Sequence, residues 1–383
     1  MNARPPIRVL HVLKTLELGG AERNLFNLVR HFDPSRVEAH VAYCWGGQFE
    51  EAFRGAGVPL FKCSGRNHKL ASLETPFTVA RLRHYLRSRG IGIVQTHNFN
   101  AHIMALAAAK LAGARVIEHV HDFRYIEPAV REAGGCHVKQ YRHIGRFRGF
   151  SDRVVVLTAQ NRDYVVRHGL AAASRVRVIR NGIPLDSPRT PKAGVREALG
   201  IGPDRSVFLT PVRMSPEKNI DLIFRAAPMV AARRPDACFL LAGDGPLLEA
   251  YRARARRDGL EGVLRFVGFY PETQDLLAFS RALVLPSFLE LHPIAILEAL
   301  AAKVPILAAP EAGCNAEVFT NWRDAVLLDP REPGPWADAL VRLLEDGELA
   351  RGIAERGYEL CRLQFDVRRA ARDFEALYEE LAR

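Results

Sequence analysis

Residues 286–301 read PSFLELHPIAILEALA, directly after the apolar run ALVL at 282–285. The pattern predicts a buried strand end, a tight loop and a helix opened by Pro293. Proline suits a first helical position, where its missing N–H would have had no partner anyway. The free amides of Ile294 and Ala295 would then face outward with the positive end of the helix dipole, which attracts anions. Glu290 stands just before the helix, and Glu298 follows after seven intervening residues. Carboxylates repel a phosphate but accept hydrogen bonds from hydroxyls. Amides for phosphate and carboxylates for hydroxyls together suggest a nucleotide-sugar site. Two solvated surface acids would show the same spacing.

The flanks extend the pattern. VPILAA at 304–309 reads as the next strand, followed by Gly313 and Glu317. A strand, loop, helix, strand series places ligands at strand C-termini in an open α/β sheet. The first half alternates in the same way, with strands at 7–13, 37–43, 91–96, 115–120 and 153–157. Helices are expected between them at 21–32, 48–56, 76–89 and 100–112. The second half restarts with strands at 206–212, 238–243 and 264–268, separated by helices at 218–232 and 246–258, and a short helix at 273–279 leads into the opening stretch. Residues 335–383 are charged and helical, and 184–192, rich in Pro, Ser and Thr, reads as a linker. Alternation of this kind predicts parallel sheets with helices on both faces. The fold class expected is α/β, with two Rossmann-like domains facing across a cleft, and clefts between domains commonly hold ligands.

The 383 residues suffice for two full cores, and 48% hydrophobic with 25% charged residues is the composition of a soluble globular protein. No run is long and apolar enough for a membrane span, and the N-terminal apolar segment at 7–13 leads to Gly19-Gly20 instead of a cleavage site. The six cysteines are scattered with no Cys-x-x-Cys pair. They read as reduced thiols of a cytoplasmic protein with no metal site. Residues 1–180 carry a net charge of +15 and residues 181–383 a net −4. The basic excess concentrates at 137–153, HVKQYRHIGRFRGFSDR, where aromatics interleave with cations. Such a segment suits an anionic membrane surface or a solvated helix face. No nucleic-acid module is visible, so nucleic acid is not an expected partner.

Four groups of side chains have chemical potential. Gly19 and Gly20 follow the first strand and let backbone N–H groups approach a phosphate or sugar, or simply make a turn. The G-x-G-x-x-G fingerprint of NAD sites is absent. Arg213 and Lys218 flank a short loop after strand 206–212, where two cations could clamp a diphosphate; a solvated Lys218 is the competing reading. His119 and His121 lie at the end of strand 115–120, and one imidazole could meet a transferring sugar. A metal there would want a third ligand; Glu118 points the other way and Asp122 is the remaining neighbour. No Asp-x-Asp pair occurs, so Arg213 and Lys218 are expected to replace a metal at the diphosphate. Neither the G-x-S-x-G elbow nor a P-loop is present.

Taken in order, GGAER at 19–23, the His-Asp pair at 121–122, RNGI at 180–183, Arg213 and Lys218, AGDGP at 242–246, Glu290 and Glu298, and GCNAE at 313–317 resemble the retaining GT-B glycosyltransferases of the group-one family, glycosyltransferase family four. The likeness covers nearly the whole chain. It implies an N-terminal acceptor domain at 1–183, a donor domain at 184–365, and a C-terminal helix at 366–383 crossing back to the first domain. It implies that Arg213, Lys218, the Gly20 loop and the amides after Glu290 meet donor phosphates. Glu298 would hold ribose hydroxyls. Glu290 and the amides of His292, Ile294 and Ala295 would hold sugar and phosphate, with His121 near the reacting carbon. The expected activity is metal-independent, retaining transfer of a hexose-type sugar from a nucleotide diphosphate, UDP first, to a lipid-linked, polysaccharide or small-molecule acceptor. A nucleotide-sugar epimerase or phosphorylase of the same fold, or a non-catalytic sugar-nucleotide-binding subunit, are the alternatives. One departure stands out: Leu291 and His292 replace the glycine and apolar residue common in the family.

Overall fold

The computed structural model describes residues 5–17, 19–63, 75–97, 99–121, 150–185, 190–290 and 292–383. Two compact units divide the described chain. One contains the residues up to Pro184 together with Asp366–Arg383; the other is Leu185–Phe365.

The first unit is built on a seven-stranded sheet. Its strands are β1 (Ile7–Thr15), β2 (Val37–Trp45), β3 (Leu60–Lys62), β4 (Ile93–Thr96), β5 (Arg115–His119), β6 (Arg153–Val156) and β7 (Val176–Val178). They lie in the order β3-β2-β1-β4-β5-β6-β7, every pair parallel. Parallel strands covered on both faces carry continuous apolar runs. In β1 five consecutive residues from Val9 to Leu13 are buried, His11 among them.

The second unit repeats this plan. Its strands are β8 (Ser206–Thr210), β9 (Ala237–Ala242), β10 (Leu264–Gly268), β11 (Ser280–Leu285), β12 (Ile306–Ala308) and β13 (Val326–Leu327). Their order is β10-β9-β8-β11-β12-β13, again all parallel. Each unit thus reverses its strand order once, between β1 and β4 and between β8 and β11. Loops leaving the C-terminal ends of strands beside such a reversal splay apart and leave a crevice for ligands.

Helix α1 (Gly20–Val29) follows β1, and α2 (Ile294–Ala301) follows β11. Helix α3 (Val367–Ala382) closes the first unit. Asp366 caps α3 by accepting from the Arg368 N–H at 2.9 Å. Its apolar face, Ala370, Ala371, Phe374, Leu377 and Tyr378, joins Val9, Ile93 and Ile117 in one core cluster. Burying each of the large side chains contributes about 1.5–3 kcal/mol. The covered Glu375 accepts from the Asp33 N–H at 2.7 Å and pairs with Arg36 at 2.5 Å, which ties α3 to the turn before β2. Gly182 is required where the chain passes α3, because a Cβ there would lie 2.5 Å from Val367 Cα.

The expected strands and helices appear, shifted by one to a few residues at their ends. Two points differ. Pro293, with ψ of 123°, is the cap of α2 and not its first helical residue. Strands β3, β7 and β13, the helix Ala159–Arg167 and the short helices Val195–Ala198 and Asn315–Val318 are not among the sequence expectations. Most of 137–153, and Asp122 and Leu291, lie outside the described residues.

Candidate active site

In the second unit the site grows from the two strands beside the reversal. After β8 the chain enters an exposed Arg213, then a 3-10 turn at Pro216–Lys218. Asn219 takes a left-handed conformation, φ 51°, so that the helix Ile220–Arg233 can start at once. Its amide donates to the Pro286 carbonyl at 3.0 Å and the Pro330 carbonyl at 2.8 Å. The Lys218 loop is thereby fastened to the loop that follows β11. A second bond reinforces this, from the Phe288 N–H to the Glu217 carbonyl at 2.9 Å. AGDGP packs against the loop after β8. A Cβ on Gly243 would collide with the Val212 carbonyl, so only glycine lets that loop approach so closely. The Met214 N–H donates to the Asp244 carbonyl across this contact at 2.9 Å.

This framework brings Lys218 and Glu290 together. The ammonium lies 2.6 Å from Glu290 Oε1, and the two side chains are only 16% and 11% exposed. The buried Ser287 hydroxyl donates to the same oxygen at 2.8 Å. Lys218 is therefore not a solvated surface lysine. Glu298, in α2, is 4% exposed, so the reading of two solvated surface acids fails as well. His292 is buried and stands edge-on to Phe365 with ring centroids 5.1 Å apart. Ile294 and Ala295 are the first two residues of α2, half-buried, and their amides precede the first intrahelical bond. Arg213 has no ion-pair partner among the described residues.

In the first unit Gly19 caps α1 and Gly20 begins it. A Cβ on Gly19 would collide with the Glu22 carboxylate. Burial raises the Glu22 carboxyl above its ordinary range, with its own N–H and the Thr15 hydroxyl working against that shift. From β5 the chain delivers His119 and His121, whose ring centroids are 3.9 Å apart.

A third imidazole beside His119 and His121 comes from His97, the residue after β4. His97 Nδ1 lies 3.1 Å from His121 Nε2, and His97 Nε2 lies 3.1 Å from His11 Nδ1 in β1. Gln95 holds His119 Nδ1 at 3.1 Å, and Tyr378 of α3 donates to Gln95 Oε1 at 2.6 Å. Burial drives the His11 pKa down to about 3, helped by His40, and puts His97 and His119 well below the ordinary imidazole value. These rings are neutral when folded. His97 was legible as the residue directly after an expected strand; Asn219, Ser287 and Tyr378 carried no such signal.

Two units of this strand order, each with polar groups gathered at its reversal point, define a double Rossmann-like α/β protein of the GT-B class. Two family models match, Glycosyltransferase Family 4 over residues 18–187 and Glycosyl transferases group 1 over residues 192–360. The chain belongs to the group 1 glycosyl transferases and is a glycosyltransferase. It is 28% identical to the UDP-Gal:alpha-D-GlcNAc-diphosphoundecaprenol alpha-1,3-galactosyltransferase of Escherichia coli, over 68% of each chain. It is 28% identical to D-inositol 3-phosphate glycosyltransferase 2 of Catenulispora acidiphila, over 70% of this chain and 66% of that one. Among solved structures, Anabaena Alr3699/HepE in complex with UDP and glucose superposes with a TM-score of 0.82 at 20% identity, over 97% of this chain and 99% of that chain. Sucrose-phosphate synthase of Thermosynechococcus elongatus gives 0.75 at 17% identity, over 99% of both.

Proposed function

We propose that the chain moves a hexose-type sugar from a UDP-sugar to an acceptor with retention of anomeric configuration, and that no metal bridges the diphosphate. The observation that carries this reading is the Lys218–Glu290–Ser287 cluster, held at the strand reversal of the second unit beside the open end of α2. Arg213 and Lys218 neutralise the departing diphosphate. The amides of Ile294 and Ala295 add the positive end of the helix dipole. Glu298 accepts from the ribose hydroxyls; Glu290 and the His292 amide hold sugar and phosphate. Gly19 and Gly20 bring backbone N–H groups to the donor, and His121 contacts the sugar near its reacting carbon. The second unit is the donor domain, and the first, with α3, the acceptor domain.

Three comparisons support the donor assignment. One relative's name gives a UDP-sugar donor, a diphosphoundecaprenol-linked acceptor and an alpha linkage. One structural neighbour is described with UDP and glucose, another with UDP-glucose. A lipid-linked or polysaccharide acceptor at the inner membrane face is the reading that the first of these supports, and the basic segment 137–153 would then meet anionic headgroups. No helix among the described residues is long and apolar enough to cross a membrane.

The test is a thermal-shift screen of UDP-, GDP- and ADP-sugars in the presence of EDTA. A ligand that binds only the folded form raises the melting temperature by mass action. The UDP-sugars should give the largest shift, and proton NMR of the product made with the best donor should show the donor's own anomeric configuration. An inverted product, or a shift that requires a divalent ion, refutes the reading. Conversion of the donor without any acceptor would instead identify an epimerase.

A further inference from the structure

We propose that His97, His119 and His121, all in the first unit, bind one divalent transition-metal ion, Zn2+ being the preferred one. One nitrogen from each residue can be chosen so that no pair is more than 4.8 Å apart. Zinc sites with three histidines and an open fourth position are a recurrent chemistry, with Zn–N of about 2.0–2.1 Å, which sets neighbouring nitrogens about 3.3 Å apart in a tetrahedron. His97 Nδ1 and His121 Nε2 already stand 3.1 Å apart. An ion would take the place of the proton they now share.

The supporting groups have the form that metal-bound imidazoles need. A ligating histidine donates its other ring N–H to an acceptor, which fixes ring orientation and basicity. His97, ligating through Nδ1, has His11 Nδ1 at 3.1 Å from its Nε2. His119, ligating through Nε2, has the Gln95 carboxamide at 3.1 Å from its Nδ1. Turning that carboxamide over presents its oxygen to His119 and its NH2 to the Tyr378 oxygen, so both contacts survive. Among the described residues His119 Nε2 is buried with no hydrogen-bond partner, a polar atom that an ion would satisfy. Two of the three rings are almost fully buried, so an ion held there would be shielded from water. His121 is partly exposed, which gives an ion its way in. Imidazole ligands with no carboxylate among them favour zinc and its neighbours over magnesium or calcium.

The experiment uses the full chain without an affinity tag, stripped of metal by a chelator and dialysed. Co2+, which absorbs strongly in the visible when held in a four-coordinate site, is titrated in and then displaced with Zn2+. One equivalent of Co2+ with such bands, released by one equivalent of Zn2+, is expected. His121→Ala, at the exposed edge, and His119→Gln should each abolish the bands. Gln95→Ala should weaken binding by roughly 10- to 100-fold. Absence of bands in the unaltered chain overturns the proposal. So does tight binding that persists in His121→Ala, because the metal then sits on other histidines. His121→Ala alone decides the matter if the buried variant does not fold.

Discussion

Lys218 Nζ lies 2.6 Å from Glu290 Oε1, although 72 positions separate the two residues. Strand order explains the meeting. β8 and β11 are neighbours in the sheet, so the loops leaving their C-terminal ends run side by side. Asn219 then stitches one loop to the other. The cation proposed to meet a diphosphate is held in place by this pairing. Fixed charge of this kind needs no reorganisation during the reaction, which is where electrostatic catalysis gains most.

Replacing Lys218 with alanine should therefore slow transfer about a hundredfold, a loss of roughly 3 kcal/mol of barrier. Steady-state kcat/KM measures it, and unchanged turnover would end the clamp. The same substitution strands a mostly covered carboxylate. In chemical denaturation, Lys218→Ala, Glu290→Ala and the double variant should show a coupling of about 0.5–3 kcal/mol. Additive losses would mean that the pair does not act as a unit.

Glu298→Ala should act on binding more than on turnover. The loss of hydrogen bonds from ribose hydroxyls to a carboxylate is worth about 1.5–3 kcal/mol, or ten- to a hundredfold in Kd. Calorimetry with UDP alone reads this directly. An unaltered affinity for UDP would remove Glu298 from the nucleotide site.

Much of this arrangement was legible in the sequence. Strands such as Ser206–Thr210 and Ala237–Ala242 are buried along their whole length, so they announce themselves as apolar runs. The loop Glu290 to Ala295 was legible because a helix opening beside proline leaves a sequence trace. The edge strands Leu60–Lys62 and Val176–Val178 were not. They have three residues each, carry Lys62 and Arg177, and are partly exposed. The helix Ala159–Arg167, AQNRDYVVR, buries only Asn161 and Val165, too few for a periodic stripe. Contacts between loops were beyond reach for another reason. Neither the Lys218–Glu290 pair nor the His11–His97–His121 chain has any periodicity. Both depend on which strands are neighbours, and the strand order is a property of the assembled sheet.

The neutral imidazoles predict acid sensitivity. His11, His97 and His119 have pKa values below the ordinary 6.5, His11 at about 3. When the chain unfolds below pH 6.5 they take up protons that the folded state refuses. The unfolded state then binds more protons, so stability falls as pH falls, from near 6.5 downward and, for His11, on toward 3. Each contributes up to about 1.4 kcal/mol per pH unit within its window. Above pH 7 they should add no slope. Urea midpoints at pH 7.5, 6.5 and 5.5 check the trend, with His11→Gln expected to flatten it. A midpoint independent of pH between 7.5 and 5.5 would show that the rings take up protons as readily in the folded chain as in the unfolded one.

Tyr378→Phe isolates the link between α3 and the histidine chain. The hydroxyl is buried and donates to Gln95 Oε1 at 2.6 Å, and Gln95 in turn orients His119. Removing it keeps the ring and its packing against Phe32 and Phe374 but leaves a buried amide oxygen without its donor. The cost should be about 1–3 kcal/mol of stability. Phe374→Ala, which empties part of the same core, should cost about 3–5 kcal/mol. Thermal melts rank the two. The first should also free the Gln95 carboxamide to turn, so the His119 ring proton seen by NMR should shift in Tyr378→Phe and far less in a distant core variant such as Phe239→Leu. If the His119 resonance stays put while stability drops, α3 supports the first unit by packing alone and has no influence on the histidines.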